Sequence, residues 1–322
     1  MEKIGVFTSG GDAPGMNACV RAVVRYAIHS GVEVVGIKRG YKGMISGDFI
    51  PMTTHDVSNI IQHGGTILKS ARSKEFRTVE GRRAAALNLK KEGIEGLVAI
   101  GGDGTFTGAK IFYEEHGIPT IGVPGTIDND LFGTDFTIGY DTAINTAMDA
   151  IDKIKDTANA HERVFIVEVM GRDAGFIALR AGIATGAEGV LVPEYQTNME
   201  DLIQSMNQNF ERRKASNIII VAEGDDAGGA FAISKRLTQA IPEIESRVVI
   251  LGHTQRGGRP TCMDRVLASK LGYEAVKNLL QGEKDAMVGQ VHKNIVLTKF
   301  EKAIKHHQSM DASLYELTKV LV

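Results

Sequence analysis

Two short segments place carboxylates and glycine directly after an apolar run. One follows the run at 120–123 and reads Pro124-Gly-Thr-Ile-Asp-Asn-Asp130, and the other follows the run at 97–100 and reads Gly101-Gly-Asp-Gly-Thr105. Acids as close as Asp128 and Asp130 repel each other, so a cation, or a hydroxyl that must lose its proton, would explain both. The pattern predicts one crevice that holds a metal-bound phosphate chain, and therefore a phosphoryl-transfer enzyme.

The segment at 101–105 differs from two common nucleotide-binding patterns. No lysine follows its glycines, as the Walker pattern requires, and its spacing is not that of the three-glycine dinucleotide fingerprint. We expect a helix to begin at Thr105 and to point its free N–H groups at the bound group, with Asp103 as an oxygen ligand of magnesium. Several kinase types carry Gly-Gly-Asp-Gly, so the motif predicts a nucleotide and leaves the acceptor open.

Weaker glycine-rich segments lie upstream. Ser9-Gly-Gly-Asp-Ala-Pro-Gly15 joins an apolar run to a helix, where backbone N–H groups and the helix dipole favour an anion, although an ordinary turn has the same pattern. His63-Gly-Gly-Thr66 and Ser70-Ala-Arg-Ser73 combine glycines, hydroxyls and an arginine. These groups suit phosphate, with a surface loop as the plain alternative.

Three strand ends in the second half carry groups suited to a sugar phosphate. They are Met170-Gly-Arg-Asp-Ala-Gly175, Ala222-Glu-Gly224 and Gly252-His-Thr-Gln-Arg-Gly-Gly258. Arginine and histidine favour a phosphate, and glutamate favours sugar hydroxyls. A single histidine is more often structural, so His253 by itself adds little.

Apolar runs of strand length alternate with stretches of helical period. Strands are predicted at 4–8, 32–38, 97–100, 120–123, 164–170, 189–192, 218–222 and 248–251, and helices at 16–30, 78–92, 105–116, 140–157, 175–186, 199–214, 228–240 and 262–281. One more strand and a helix are expected after Gly289. The alternation predicts an α/β fold with mostly parallel sheets covered on both faces.

Composition narrows the class of protein. A length of 322 residues favours about two domains, and the formal net charge of −2 gives no reason to expect nucleic acid or an anionic membrane as a partner. Cys19 and Cys262 form no disulfide framework, no apolar run approaches the roughly 18 residues of a membrane helix, and the N-terminus lacks a signal-peptide pattern. We therefore expect a cytoplasmic protein.

Together these motifs resemble the bacterial ATP-dependent 6-phosphofructokinases. The stretches that match, in order and over essentially the whole chain, begin at Ser9, Ser70, Gly101, Pro124, Met170 and Gly252. The resemblance implies two Rossmann-like three-layer α/β/α domains with the active site in the cleft between them. It assigns 1–138 plus about 252–304 to ATP and 139–251 plus about 305–322 to fructose 6-phosphate.

The resemblance also implies the reaction and the roles of residues. The γ-phosphoryl group of ATP would pass to the 1-hydroxyl of fructose 6-phosphate, giving fructose 1,6-bisphosphate and ADP, the committed step of glycolysis. Asp128 would be the base, Arg72 and Thr126 would face the transferring group, and Asp103 would hold Mg²⁺ with Asp130 close by. ATP would contact Gly11, Arg72, Ser73, Gly102, Asp103, Gly104 and Thr105. Fructose 6-phosphate would contact Thr126, Ile127, Asp128, Met170, Gly171, Arg172, Glu223, His253, Thr254, Gln255 and Arg256. Arg163 and Arg247 would reach the sugar phosphate of a neighbouring subunit in a homotetramer.

A regulatory site for ADP or phosphoenolpyruvate between subunits is implied as well. Residues that match or follow its pattern are Arg21, Arg25, Gly186, Ala187, Glu188, Arg212, Lys214 and Ala215. Residues that depart from it are Thr54, Asn59, Lys155 and Ser216, where the family usually has arginine, aspartate, arginine and histidine. Because lysine does not reproduce the planar fork of arginine, we expect a weakened effector site. Taken alone, Arg21 and Arg25 would be a solvated basic helix face.

The phosphoryl donor has a marker in the same motifs. Pyrophosphate-using relatives usually carry aspartate at the position of Gly104 and lysine at the position of Gly125, so this chain is expected to use ATP. Two alternatives stay open: an NAD or lipid kinase that shares Gly-Gly-Asp-Gly, and a catalytically silent nucleotide-sensing subunit. The strength and identity of regulation, the kinetic constants and the cooperativity are not predicted.

Overall fold

The computed structural model describes residues 1–161, 163–211, 217–305 and 308–321, and the elements below are those of the described residues. The strands are β1 (Lys3–Thr8), β2 (Glu33–Ile37), β3 (Phe49–Met52), β4 (Gly96–Gly101), β5 (Thr120–Pro124), β6 (Val164–Val169), β7 (Gly189–Leu191), β8 (Asn217–Ala222), β9 (Ser246–Ile250), β10 (Ala286–Val291) and β11 (Asn294–Lys299). The helices are α1 (Met16–His29), α2 (Gly40–Ser46), α3 (Val79–Glu92), α4 (Asp103–His116), α5 (Tyr140–His161), α6 (Phe176–Thr185), α7 (Met199–Glu211), α8 (Gly229–Ala240), α9 (Cys262–Leu280), α10 (Phe300–Lys305) and α11 (Ala312–Val320). Of these helices, none combines the length and the apolar composition that crossing a bilayer requires.

The chain divides into two compact units, of which the first comprises Met1–Thr142 and Arg256–Gln308. Its seven-stranded sheet has the order β11-β10-β5-β4-β1-β2-β3. All neighbouring pairs are parallel except the two at the edges, β2 with β3 and β10 with β11. Every residue of β4 and β5 is buried, as expected for parallel strands covered on both faces.

The second unit comprises Ala143–Gln255 and Ser309–Val322. Its four strands are all parallel, in the order β7-β8-β6-β9. Strand β8 is buried throughout, and residues of β6, β8, α7 and α8 share one hydrophobic core. The two units thus confirm the predicted α/β fold with mostly parallel sheets, whereas the assignment of the units to ATP and to sugar phosphate stays a prediction.

All eight predicted strands are present, with ends that differ by at most two residues. The prediction for the tail was wrong: a hairpin of two strands, β10 and β11, is followed by two helices rather than one. The hairpin turns at His292 and Lys293, both with positive φ (54° and 100°). Such two-residue turns usually carry asparagine or glycine, so the turn at His292 and Lys293 could not be recognised from its residue types. The short antiparallel strand β3 and helix α2 were not predicted either.

An ion pair between a buried arginine and a partly exposed glutamate joins α3 to α4 in the first unit. The guanidinium of Arg82 donates through Nε and Nη2 to the two carboxylate oxygens of Glu115, at 2.6 Å each, and through Nη1 to the carbonyl of Phe76 at 3.1 Å. The Arg82 side chain is only 8% exposed. These hydrogen bonds and the charge of Arg82 lower the pKa of Glu115, so the pair stabilises the folded chain above the ordinary glutamate pKa. That contribution is lost as the pH falls through the lower folded-state value.

We expect Glu115→Gln to lower the free energy of unfolding by about 1.5–3 kcal/mol, because the buried guanidinium loses its charged acceptor. The matched control is Glu114→Gln, since Glu114 pairs with Lys110 at the surface of the same helix and such an exposed pair should contribute little to the free energy of unfolding. Urea denaturation of the two variants at neutral pH measures both. Equal changes in the free energy of unfolding for the two variants would contradict a stabilising role for the Arg82–Glu115 pair.

Candidate active site

The two carboxylate-bearing strand ends of the first unit lie side by side. Strands β4 and β5 are parallel neighbours whose register pairs Gly101 with Pro124, and the N–H of Gly125 donates to the carbonyl of Gly101 at 2.9 Å. A Cβ atom placed on Gly102 would lie 3.6 Å from Cβ of Thr126. The segments 101–105 and 124–130 therefore share one edge of the sheet, as the sequence predicted.

The segment after β1 reaches the same edge. The N–H of Ser9 donates to the carbonyl of Ile100 at 3.0 Å. A Cβ atom on Gly10 would lie 3.8 Å from Oγ1 of Thr105. Three glycine-containing segments, after β1, β4 and β5, thus gather at the carboxyl ends of adjacent parallel strands, which is where ligands of open α/β sheets bind.

Helix α4 begins at Asp103 and not at Thr105, so that prediction was wrong. Gly102 is its N-cap in an extended conformation, and its carbonyl accepts from the N–H of Thr105 at 2.9 Å. An acidic residue in the first turn is favourable next to the positive end of the helix dipole, which explains the earlier start. Gly104 faces open space: no atom of the described chain lies within 4 Å of a Cβ atom built there.

Residues 126–129 are buried, and hydrogen bonds hold this segment in place. Thr126 and Asp128 are each 7% exposed. The hydroxyl of Thr137 donates to the carbonyl of Thr126 at 2.6 Å, and its N–H donates to Oδ1 of Asn129 at 2.8 Å. Asn129 takes a positive φ of 55° and donates through Nδ2 to the carbonyl of Asp135 at 3.2 Å. Asn129, to which the sequence assigned no role, therefore fixes the backbone that carries Asp128.

Asp103 and Asp130 are the two carboxylates that the segments after β4 and β5 offer as oxygen ligands for a magnesium ion. Asp103 opens α4, Asp130 ends the buried segment, and both are partly exposed. Magnesium in nucleotide sites is held by one or two carboxylates together with phosphate oxygens and water. No cluster of three or more His, Cys, Asp or Glu side chains suited to a metal occurs in the parts of the chain that the structure describes. A magnesium ion held by these two carboxylates would take its other ligands from phosphate oxygens and water.

An amide of α1 anchors the segment that precedes Arg72. Asn17 is 2% exposed, and its Nδ2 donates to the carbonyls of His63 and Gly64, both at 3.1 Å. Its Oδ1 accepts from the N–H of Ile67 at 2.8 Å. The sequence pattern assigned no function to Asn17, whose only signal is its place next to the glycine-containing segment 9–15.

Arg72 and Ser73 are held at this edge from both sides. The hydroxyl of Ser70 donates to the carbonyl of Gly10 at 2.5 Å, which ties the segment to the turn after β1. Oγ of Ser73 accepts from the N–H of Phe76 at 3.2 Å. The side chain of Arg72 between them is exposed. Its charged fork is thus available to a phosphate chain on the first unit.

Arg256 lies against the turn after β1. Its Nη1 donates to the carbonyl of Asp12 at 3.2 Å, and a Cβ atom on Gly11 would approach that nitrogen to 2.4 Å. A side chain at position 11 would therefore have to displace the guanidinium of Arg256. Arg256, expected to bind the sugar phosphate, belongs to the first unit and contacts the turn after β1.

Asp264, which the sequence did not single out, caps the first turn of α5. Its carboxylate accepts from the N–H groups of Gly139 and Thr142 at 2.8 Å and from the Thr142 hydroxyl at 2.5 Å. Burial raises the pKa of Asp264 to about 6 because it disfavours the ionised form. The contact fixes the chain that follows the segment 126–137.

In the second unit, Met170, Gly171 and Arg172 follow β6 in an unusual backbone conformation. Gly171 has φ 152° and Arg172 has φ 58°. The N–H of Arg172 donates to Oε1 of Glu223 at 2.6 Å, and a Cβ atom on Gly224 would meet the carbonyl of Arg172 at 2.2 Å. The structure therefore brings together Arg172 and Glu223, whose side chains are exposed.

The segment after β9 forms a 3-10 turn at Gly252–Arg256. His253 and Thr254 are exposed, and the Thr254 hydroxyl donates to the carbonyl of Leu251 at 2.7 Å. Gln255 is completely buried, and its Oε1 accepts from the N–H of Met170 at 2.9 Å. Neighbouring residues of this motif therefore have different surroundings. His253 and Thr254 are exposed, whereas Gln255 is buried and holds the segment after β6.

Arg163 and Arg247 share one carboxylate. Nε of Arg163 donates to Oε2 of Glu245 at 2.9 Å, and Nη2 of Arg247 donates to Oε1 of the same residue. The hydrogen bond from Arg163 lowers the pKa of Glu245, which is about half exposed. The two arginines expected to act together are therefore adjacent on the surface of the second unit.

The predicted effector residues divide between the two units. Arg21, Arg25, Thr54 and Asn59 lie in the first, and Lys155, Gly186, Ala187 and Glu188 in the second. Arg212, Lys214, Ala215 and Ser216 lie outside the described residues. Nζ of Lys155 donates to the carbonyls of Thr185 and Gly186, the latter at 3.3 Å, at the end of α6. Glu188 is buried and accepts from the N–H of Ile218 at 2.6 Å.

The chain is similar to known proteins along its whole length. The family model described as Phosphofructokinase matches residues 3–279. The chain is 55% identical over 321 residues to "ATP-dependent 6-phosphofructokinase 1" of Thermus thermophilus, covering 100% of this chain and 99% of that protein. It is also 55% identical over 321 residues to "ATP-dependent 6-phosphofructokinase" of Cytophaga hutchinsonii, covering 100% and 98%. A solved phosphofructokinase of Saccharomyces cerevisiae matches with TM-score 0.91 and 36% identity over 99% of this chain, which spans 50% of the yeast chain.

Proposed function

The chain belongs to the phosphofructokinase family, and from this premise we propose that it is an ATP-dependent 6-phosphofructokinase. It transfers the γ-phosphoryl group of ATP to the 1-hydroxyl of fructose 6-phosphate and releases fructose 1,6-bisphosphate and ADP. The observation that carries the proposal is the adjacency of the segments after β4 and β5, joined by the hydrogen bond from Gly125 to Gly101. The adjacency supports a nucleotide site at the segment 101–105 next to Asp128, the proposed base.

ATP binds at the carboxyl edge of the seven-stranded sheet in this proposal. The groups that contact it are Gly11, Arg72, Ser73, Gly102, Asp103, Gly104 and Thr105. The first turn of α4 offers free N–H groups and a positive dipole end to the phosphates. Mg²⁺ held by Asp103, with Asp130 close by, would neutralise part of the negative charge of the phosphate chain.

The main tasks of the catalytic groups are to position the two substrates and to neutralise charge on the transferring phosphoryl group. Phosphoryl transfer between two oxygens is catalysed mainly by positioning and electrostatic stabilisation. Asp128 removes the proton of the 1-hydroxyl as the new bond forms, since an ordinary aspartate is ionised at neutral pH. The guanidinium of Arg72 stabilises the transferring group, and Thr126 and Ile127 position the hydroxyl next to Asp128.

Several groups for fructose 6-phosphate come from the second unit. These are Met170, Gly171, Arg172, Glu223, His253 and Thr254, and Gln255 lies in the same motif; Arg256, which ends that motif, belongs to the first unit. Arg163 and Arg247, which meet at Glu245, bind the sugar phosphate of a neighbouring subunit, so the active assembly is a homotetramer. Planar guanidinium groups suit such a phosphate because they donate in pairs.

The regulatory site is the weakest part of the family pattern. Thr54 has no charge to offer a phosphate, and the amine of Lys155 is already engaged with two carbonyls at the end of α6. We therefore predict only shallow inhibition by phosphoenolpyruvate. Initial rates against fructose 6-phosphate, with and without ADP and phosphoenolpyruvate, measure this. Strongly sigmoidal curves at low phosphoenolpyruvate would show that the site is intact.

A panel of acceptors tests the proposed function against its alternatives. Purified protein with MgATP is offered fructose 6-phosphate, NAD or diacylglycerol, and ADP release is followed in a coupled assay. The proposal expects rapid ADP release only with fructose 6-phosphate. Turnover of NAD or the lipid would identify a different kinase, and no turnover with tight ATP binding would identify a silent nucleotide sensor.

A further inference from the structure

The side chain of Gln255 has a contact that differs from its expected role. It lies in the 3-10 turn after β9, is 0% exposed, and accepts the N–H of Met170 at 2.9 Å through Oε1. A side chain without exposed surface offers no face to a sugar phosphate. Its polar atom is instead used within the second unit, on the backbone of the segment after β6.

The hydrogen bond continues the parallel sheet by one position. Strand β6 pairs with β9 as far as Glu168 with Ile250, and the N–H of Leu251 donates to the carbonyl of Glu168 at 3.0 Å. Beyond that point β9 turns away, and the N–H of Met170 has no strand partner on that side. Oε1 of Gln255 takes the place of the missing carbonyl, so a buried donor is not left unsatisfied.

This bond sets one end of a short segment with a demanding conformation. Gly171 and Arg172 follow with positive φ angles of 152° and 58°. The other end is set by the N–H of Arg172, which donates to Oε1 of Glu223 at 2.6 Å. Two side-chain acceptors from different strand ends thus hold three consecutive residues, Met170 to Arg172, in place.

We propose that Gln255 is a positioning residue for fructose 6-phosphate binding and not a direct ligand. Its Oε1 holds the Met170 N–H, and through it the Gly171–Arg172 backbone that presents Arg172 to the sugar phosphate. The inference rests on the proposed function, because the segment after β6 matters only if it binds that substrate. Nε2 is not needed for this role: it is buried and has no hydrogen-bond partner among residues 1–161, 163–211, 217–305 and 308–321.

Two variants of similar shape separate acceptor from donor. Gln255→Met removes the acceptor, and Gln255→Glu keeps an oxygen acceptor in the position of Oε1 but replaces Nε2. Hydrogen exchange of the Met170 amide is measured without ligands, and kcat/KM is measured for fructose 6-phosphate and for MgATP. We expect Gln255→Met to speed Met170 exchange and to lower kcat/KM for fructose 6-phosphate by about 10- to 100-fold, as the loss of a buried hydrogen bond predicts. We expect KM for MgATP to stay within about twofold and Gln255→Glu to retain protection of the Met170 amide.

Each other result overturns the proposal. Lower kcat/KM with unchanged Met170 exchange would make Gln255 a direct ligand. Faster Met170 exchange with unchanged kcat/KM would show that the hydrogen bond has a structural role only. The same conclusion would follow if kcat/KM fell equally for fructose 6-phosphate and MgATP, or equally in Gln255→Met and Gln255→Glu. If the wild-type protein did not phosphorylate fructose 6-phosphate, the proposed function itself would be wrong. That failure can be told apart from a failure of the Gln255 proposal, because the exchange of the Met170 amide is measured without substrate.

Discussion

Replacing Asp128 by asparagine is expected to lower kcat by at least about 10²- to 10⁴-fold, the usual contribution of a general base. Asparagine has nearly the same shape and cannot take a proton from the 1-hydroxyl. Asp128 is 7% exposed in a segment held by Thr137 and Asn129, so the backbone should keep its position. The change should therefore appear in turnover, while fructose 6-phosphate and MgATP still bind.

The measurement combines steady-state rates with equilibrium binding of both substrates. Asp149→Asn is the matched control, because Asp149 pairs with Lys153 on the exposed face of α5 and has no role in the site. It should leave kcat unchanged. Near-normal turnover of purified Asp128→Asn would remove Asp128 from the role of base.

Replacing Arg72 should have an effect of comparable size. Arginines that stabilise the transferring phosphoryl group are worth about 10³- to 10⁵-fold in kcat in other phosphotransferases, and we expect Arg72→Ala to lose about 10³-fold. Arg72→Lys keeps the charge but not the planar fork, so it should recover only part of the loss. The hydrogen bonds of Ser70 and Ser73 should hold the segment in place in both variants, since both bonds use atoms that the substitution does not change.

Single-turnover rates at saturating MgATP and fructose 6-phosphate separate the chemical step from binding. Arg77→Ala is the control, because Arg77 is an exposed arginine five residues along the chain with no assigned role. Its rate should equal that of the wild type. Full activity of Arg72→Lys would show that any positive charge suffices and would contradict the proposed contact.

The strands and the edge they share were predictable because their signals are local. Buried parallel strands are short apolar runs, and the glycine and carboxylate motifs directly follow two of them, β4 and β5. Because neighbouring parallel strands end at the same edge of a sheet, the proximity of Gly102 and Thr126 could be predicted from the sequence. The start of α4 was missed by two residues, since an N-capping glycine such as Gly102 has no side-chain signal.

The residues that support the site were not predictable, because their partners are distant in sequence. Asn17 holds the segment at 63–67, and Asp264 caps a helix that begins more than 120 residues earlier. Asn129 and Gln255 stand inside motifs, where they were interpreted by the motif rather than by their own contacts. Burial and hydrogen bonding, which only the folded chain reveals, separate these supporting amides and acids from the groups that face a ligand.

The choice of phosphoryl donor tests the central claim most directly. A Cβ atom built on Gly104 would meet no atom of a neighbouring segment within 4 Å, which is consistent with the proposed use of a nucleotide rather than pyrophosphate. The measurement is kcat/KM for MgATP and for pyrophosphate at saturating fructose 6-phosphate, with fructose 1,6-bisphosphate as the product detected. We predict a larger kcat/KM with MgATP and ADP formed in equal amount to the bisphosphate. A larger kcat/KM with pyrophosphate, or no bisphosphate with either donor, would contradict the account.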